Sequence, residues 1–81
     1  MQYSILIEAV TDSGFPAGYY CAHIPSLDLT THGLGIEGAK AAARDLLTLW
    51  IEEKKARGET IVRETDSYFA RIEIEDAVLG A

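Results

Sequence analysis

Residues 22–38, A-H-I-P-S-L-D-L-T-T-H-G-L-G-I-E-G, restrict this chain more than any other stretch. Pro25 has no N–H with which to continue a ladder, so a strand that reaches Ile24 stops or bends there. Thr30 and Thr31 favour extended backbone, which predicts a short strand over residues 29–32. Gly33 and Gly35 permit the corner that follows. From that corner the only long helix of the chain begins. The segment is therefore a strand–strand–helix hinge, and it holds no catalytic signature.

The rest of the chain arranges itself around the hinge. Residues 3–10 read as a strand, with Tyr3, Ile5, Ile7 and Ala9 on one face and Ser4, Leu6, Glu8 and Val10 on the other. Asp12, Gly14, Pro16 and Gly18 make residues 11–18 a hairpin loop. Tyr19–Ile24 is the returning strand, placing Tyr20, Ala22 and Ile24 on one face and Tyr19, Cys21 and His23 on the other. Residues 36–57 carry a helical stripe of Ile36, Ala39, Ala43, Leu46, Leu47 and Trp50. Ala42 and Leu49 widen it on one flank and Ile51 on the other, to an apolar arc of about 200°, roughly twice what one core-facing stripe needs. Lys54, Lys55 and Arg57 followed by Gly58 mark the helix end. Residues 60–66 are polar and read as a connection. Residues 68–75 alternate again, Ala70, Ile72 and Ile74 inward and Arg71, Glu73 and Glu75 outward, which predicts a last strand. Residues 77–81 are small and expected to fray. The order β-β-β-α-β describes an α+β fold, one helix packed on one face of an antiparallel sheet.

An 81-residue chain is one domain, and at that size it buries only about 60% of its unfolded surface. Such domains lean on disulfides, metals or oligomerisation. Cys21 is the only cysteine, which rules out an internal disulfide. His23 and His32 lack further ligands at metal-site spacing. Oligomerisation remains, and the predicted outer sheet face, with Leu6, Val10, Tyr19, Cys21 and Phe69, is too apolar to be left wet over its whole area. Leu6, Val10, Tyr19, Leu49 and Phe69 are the candidate interface, in a homo-oligomer that is a dimer or a tetramer. Thirteen acids against seven bases give a net charge of −6. That opposes phosphate-backbone binding and suits solubility or a basic partner. No apolar run reaches the length of a membrane span, and there is no signal-peptide pattern at the N-terminus. Cytoplasmic residence is the expectation.

The order of short motifs resembles the HicB-like antitoxins of bacterial toxin–antitoxin systems. That family typically reads Y-x-V-x-I-E in the first strand, an acidic glycine-rich hairpin, a strand ending I-P-D-L-P-G-C, then T-x-G, then a helix opening with E-x-A. Here the counterparts are Tyr3-Ser4-Ile5-Leu6-Ile7-Glu8, Asp12-Ser13-Gly14, Ile24-Pro25-Ser26-Leu27, Thr31-His32-Gly33 and Glu37-Gly38-Ala39. Gly58-Glu59-Thr60-Ile61 resembles the family's G-E-P-I. The likeness covers residues 1 to 61. Two departures stand out: Ser26-Leu27-Asp28-Leu29 is about one residue shorter than its counterpart, and the family's helix-opening capping box is replaced by Gly35 and Gly38. The resemblance implies a partial ribonuclease H-like sheet with one helix, spanning residues 1–81 as a single HicB-like domain. It implies a non-catalytic protein that binds and blocks a small basic RNA-cleaving toxin of the HicA-like kind. Many full-length members carry a C-terminal DNA-binding module. Residues 1–81 hold none, so direct nucleic-acid binding is not expected, and neither is membrane binding.

The residue types that carry chemistry give little else. Two-metal nuclease chemistry needs several converging carboxylates. Glu8 lies on the first strand, but Glu37 and Asp45 fall on the polar side of the helix and Glu73 and Glu75 alternate outward. Cys21 and His23 share a strand face with their origins about 6.6 Å apart, and nothing supplies the third, orienting group of a nucleophilic pair. Gly33-Leu34-Gly35 lacks the length and the lysine of a phosphate-binding loop. Tyr3, Tyr20 and Trp50 read as core, with Tyr19 left open as a recognition anchor. No catalytic residue, cofactor or metal is assigned. The alternatives to the antitoxin reading are an orphan oligomeric module without a toxin and a minimal ribonuclease H-like nuclease built on Glu8.

Overall fold

The computed structural model describes residues 1–66 and 68–80. Three strands, β1 (Leu6–Ala9), β2 (Tyr19–Ile24) and β3 (Leu29–Leu34), precede one helix, α1 (Gly35–Ala56). The sheet is an antiparallel meander in the order β1-β2-β3. Leu6 pairs with His23 and Ala9 with Tyr20 at the first seam. Tyr19 pairs with Leu34 and Ile24 with Leu29 at the second. The α+β arrangement read from the sequence is present, with β1 shorter than residues 3–10 and β3 two residues longer than residues 29–32.

The hinge works as its residues require. The β2–β3 turn closes through the Leu27 N–H to the Ile24 carbonyl (3.2 Å) and the Asp28 N–H to the Pro25 carbonyl (3.3 Å). Asp28 takes a positive φ of 52° there, a conformation that an Asp tolerates better than most residues. Gly35, at φ 71°, turns the chain out of β3, and its N–H reaches the Gly18 carbonyl at 2.8 Å. At the far end Gly58 adopts φ 68°. Its N–H bonds the Lys55 carbonyl and the Glu59 N–H bonds the Lys54 carbonyl, the paired bonds of a Schellman stop.

Gly33 has a second role that its sequence context did not disclose. A Cβ built there would lie 2.3 Å from the Gly38 carbonyl carbon and oxygen and 2.5 Å from the Ala39 nitrogen. Strand β3 and helix α1 therefore touch backbone to backbone. Only small side chains fit in such a seam, and the buried residues are Ala22, Ile24, Ala39 and Ala43. Tyr3, Ile5, Ile7, Tyr20, Leu27, Leu29, Leu46 and Leu47 pack around them, partly buried. Ile36, in the first helical turn, is pushed out of the predicted stripe and is exposed.

The predicted last strand does not form. Residues 68–75 carry no ladder, and among the described residues the only regular structure beyond the helix is one 3₁₀ turn, Asp76–Leu79. Ile72 and Ile74, expected to face inward, are exposed, as is Tyr68 at 87%. The reason lies in the placement of α1. It packs over β2 and β3 and scarcely touches β1, so the layer that a fourth strand beside β1 would complete is missing its helix side. Of the tail expected to fray, Ala81 lies outside the described residues.

Candidate interaction surface

Two uncovered regions flank this small core. The first is the outer face of the sheet. Because side chains alternate along each strand, the pairing register sets them in cross-strand rows: Val10, Tyr19 and Leu34; Glu8, Cys21 and His32; Leu6, His23 and Thr30. The Val10 N–H reaches the Tyr19 carbonyl at 2.9 Å, extending the first seam by one pair. Phe15, from the β1–β2 loop, stacks on His32 with ring centroids 4.7 Å apart and lies 6.1 Å from Tyr19. His23 Nδ1 and Thr30 Oγ1 are hydrogen-bonded at 2.8 Å. This face is an apolar and aromatic strip beside a polar row, and no described helix packs on it.

The second region is a groove of about 460 Å³ between the N-terminal segment and α1, where the helix is offset from β1. Ala43, Leu47 and Ile51 are its apolar floor, Met1 to Ile5 one wall, and Lys40 and Arg44 basic groups on the helix side. Lys40 lies 3.6 Å from Glu37, whereas the Arg44 guanidinium meets no acidic partner among the described residues. Glu64 closes one end. Its carboxylate accepts from the Ser4 N–H (2.9 and 3.0 Å) and from Ser4 Oγ (2.8 Å), and the Tyr3 hydroxyl donates to the Val62 carbonyl. These bonds fasten residues 62–64 to the start of the chain. Glu64→Ala removes three of them and should speed amide exchange at Ser4 and across residues 60–66, while global stability falls by about 1 kcal/mol. Hydrogen exchange read by mass spectrometry checks this, and protection unchanged in that segment would show that the clamp does not hold.

The five candidate interface residues lie on the sheet, the helix and the segment that follows it. Leu6, Val10 and Tyr19 share the outer sheet face, Leu49 is 64% exposed on the helix, and Phe69 is exposed beyond it. Reasoning from sequence missed Phe15, which loop composition hides, and the groove, which only the lateral offset of α1 creates. Tyr3 and Tyr20 pack against the core as expected. Trp50 is half-buried, with the Lys54 ammonium 5.5 Å from its ring centre. Glu8 is exposed in the outer-face row with Cys21 and His32, and among the described residues no three His, Cys, Asp or Glu side chains converge as metal ligands would. No described helix is long and apolar enough to cross a membrane.

The amount of uncovered surface is the main property of the site. The chain exposes 6484 Å², against about 4,800 Å² for a compact protein of its mass. Its radius of gyration is 16.1 Å, against about 12 Å for a compact chain of this length. Comparisons with protein-family models, with curated proteins and with solved structures return no match for this chain.

Proposed function

We propose that this chain is a non-catalytic interaction protein of the HicB-like antitoxin kind, which self-associates and blocks a small basic RNA-cleaving toxin. The observation that carries the reading is the imbalance, among the described residues, between a four-residue buried core made largely of alanine and an apolar surface that includes Leu6, Phe15, Leu34, Leu49, Tyr68, Phe69 and Ile72. Exposed apolar area on this scale marks a binding surface. The net charge of −6 fits a basic partner, and the order of the short motifs supports the family.

The mechanism is occlusion. An acidic protein is drawn to the basic face with which a ribonuclease holds RNA, and long-range attraction raises the encounter rate. Exposed carboxylates such as Glu52, Glu73 and Glu75 contribute to that attraction, while Glu53 is paired with Arg57 at 2.7 Å. Apolar and aromatic groups then hold the complex, as at most interfaces. The same exposed surface favours one second reading, an orphan oligomeric module with no toxin.

The experiment is purification of the tagged chain from its native cells, followed by an RNA-cleavage assay on whatever accompanies it. The expected result is a small basic protein that is silent in the complex and cleaves RNA once separated. Added salt should slow re-association, because screening weakens steering. A homo-oligomer with nothing attached, or a companion without RNase activity, would overturn the antitoxin reading.

A further inference from the structure

We propose that the free edge of β3 is a seam between two copies of this chain, in which β3 pairs antiparallel with β3 of the second copy and the two α1 helices lie side by side on one continuous sheet. The inference rests on the reading of the chain as a self-associating module, and it does not depend on what the toxin is.

The register shows what that edge offers. The Val10 N–H bonds the Tyr19 carbonyl and the Gly35 N–H bonds the Gly18 carbonyl, and bonded pairs alternate along an antiparallel seam. Leu29, Thr31 and Gly33 therefore turn their main-chain groups toward β2, and those of Thr30 and His32 point away from it. Leu34 caps α1 and gives its carbonyl to the first helical turn, which leaves Thr30 and His32 as the open positions. Both are exposed, and no described strand lies beyond them. Edge strands of soluble proteins are usually blunted by a charge, a proline or a bulge. β3 reads Leu-Thr-Thr-His-Gly-Leu and pairs with β2 through every residue without a break, so it has none of the three. The other edge, β1, is shorter and carries Glu8.

A second copy fits both this edge and the helix above it. With Thr31 opposite its counterpart, Thr30 of each copy faces His32 of the other, and both open positions are bonded, two bonds to each pair. The pairing is its own two-fold and leaves no end open. α1 packs over β2 and β3, so its axis lies about half a strand spacing inside β3, and the two-fold passes another half spacing outside. Helices so placed run about 10 Å apart, the distance at which helices pack. Leu47 and Ile51 line the groove on the β1 side, so the flank turned to the second copy is the opposite one, with Gly38, Ala42 and Leu49. Leu49 is 64% exposed. Gly33 lies beneath Gly38 and Ala39, and α1 runs back along β3 from there. Thr31 is about 7 Å further along, or about five helical residues, so the two-fold passes near residues 43–44. It sets Leu49 of each copy against Gly38 of the other, the largest side chain of the flank against the smallest. The shared wall is about 20 Å long at β3 and about 33 Å long at α1. Two layers deep, it is on the order of 500 Å² before side-chain relief is counted, which suits the about 800 Å² that each partner of a stable dimer buries. A lone strand of another protein would cover the edge and leave this helix flank bare.

Cysteine cross-linking tests the seam. Opposite residues of a non-bonded antiparallel pair have Cα atoms about 4.5 Å apart, within disulfide reach. Thr31→Cys is made in a Cys21→Ser background, so that the introduced thiol is the only one in the chain. Thr48→Cys in the same background is the control, an exposed site on the groove side of α1. Mass is measured by light scattering during size exclusion, and the wild type is expected at twice 8.8 kDa. On mild oxidation the Thr31→Cys variant should form a covalent dimer at least tenfold faster than the control. Leu49→Glu should dimerise at least tenfold more weakly, with circular dichroism confirming that its helix is intact. A wild-type dimer in which the Thr31→Cys variant links no faster than the control overturns the seam and leaves self-association standing. So does a dimer that Leu49→Glu leaves unmoved, since the helices then do not meet. A wild type of 8.8 kDa overturns both, and leaves the β3 edge to a strand of another protein.

Discussion

Gly33→Ala is expected to abolish cooperative unfolding of this domain at room temperature. The new methyl would stand 2.3 Å from main-chain atoms of Gly38 and 2.5 Å from the Ala39 nitrogen. No rotamer change relieves a clash with backbone, so the helix must lift off the sheet. Overpacking a core costs about 1–3 kcal/mol and sometimes more, and here the upper end applies. A domain of this size holds only about 3–5 kcal/mol in total. Gly35→Ala is the informative comparison. That residue sits at φ 71° with nothing near its missing Cβ, so the substitution costs about 1 kcal/mol of backbone strain. Thermal unfolding followed by circular dichroism ranks the two. A Gly33→Ala melting curve equal to that of Gly35→Ala would mean that strand and helix do not touch as described.

Ile24→Ala should be nearly as damaging, by the opposite route. Among the described residues Ile24 is the one large side chain that is fully buried, and it ends β2 directly before Pro25. Truncating such a residue costs about 2–5 kcal/mol, the transfer loss plus the cavity left behind. The other fully buried residues, Ala22, Ala39 and Ala43, have nothing to move into the hole, and the larger side chains around them are only partly buried. Ile36→Ala removes the same atoms from an exposed site and should stay within about 0.5 kcal/mol of the wild type. Urea unfolding of the two variants separates burial from composition. Equal midpoints would show that Ile24 is not the centre of the core.

Much of this architecture was legible because local chemistry fixed it. Pro25 ended β2 at Ile24, the turn residues of 11–18 set the first hairpin, and the basic last turn before Gly58 placed the helix stop. The strand faces followed from period-two alternation, so Tyr20, Ala22 and Ile24 were correctly turned inward. The failures concern relations between distant segments. Residues 68–75 alternate as well as any strand in the chain, but alternation reports a face, and a strand also needs an edge to pair with. The backbone contact at Gly33 was unreadable for a similar reason. A glycine needed for close approach looks the same in sequence as one needed for a turn. The groove depends on α1 lying over β2 and β3, and the helix's own 3.6-residue period says nothing about sideways position over a sheet.

The meander order has a consequence for the timing of assembly. Each strand pairs with its neighbour in sequence, and the helix packs on the two strands that immediately precede it. Chains dominated by such short-range links fold fast, because little loop-closure entropy is lost before contacts form. The join between residues 3–4 and residues 62–64 spans about sixty positions, and it is the link that closes last. The sheet and helix can therefore reach their final form while everything beyond Val62 is still loose. The segment beyond Val62 can therefore come loose and re-attach without the core being taken apart, on the timescale of loop motion, not of unfolding.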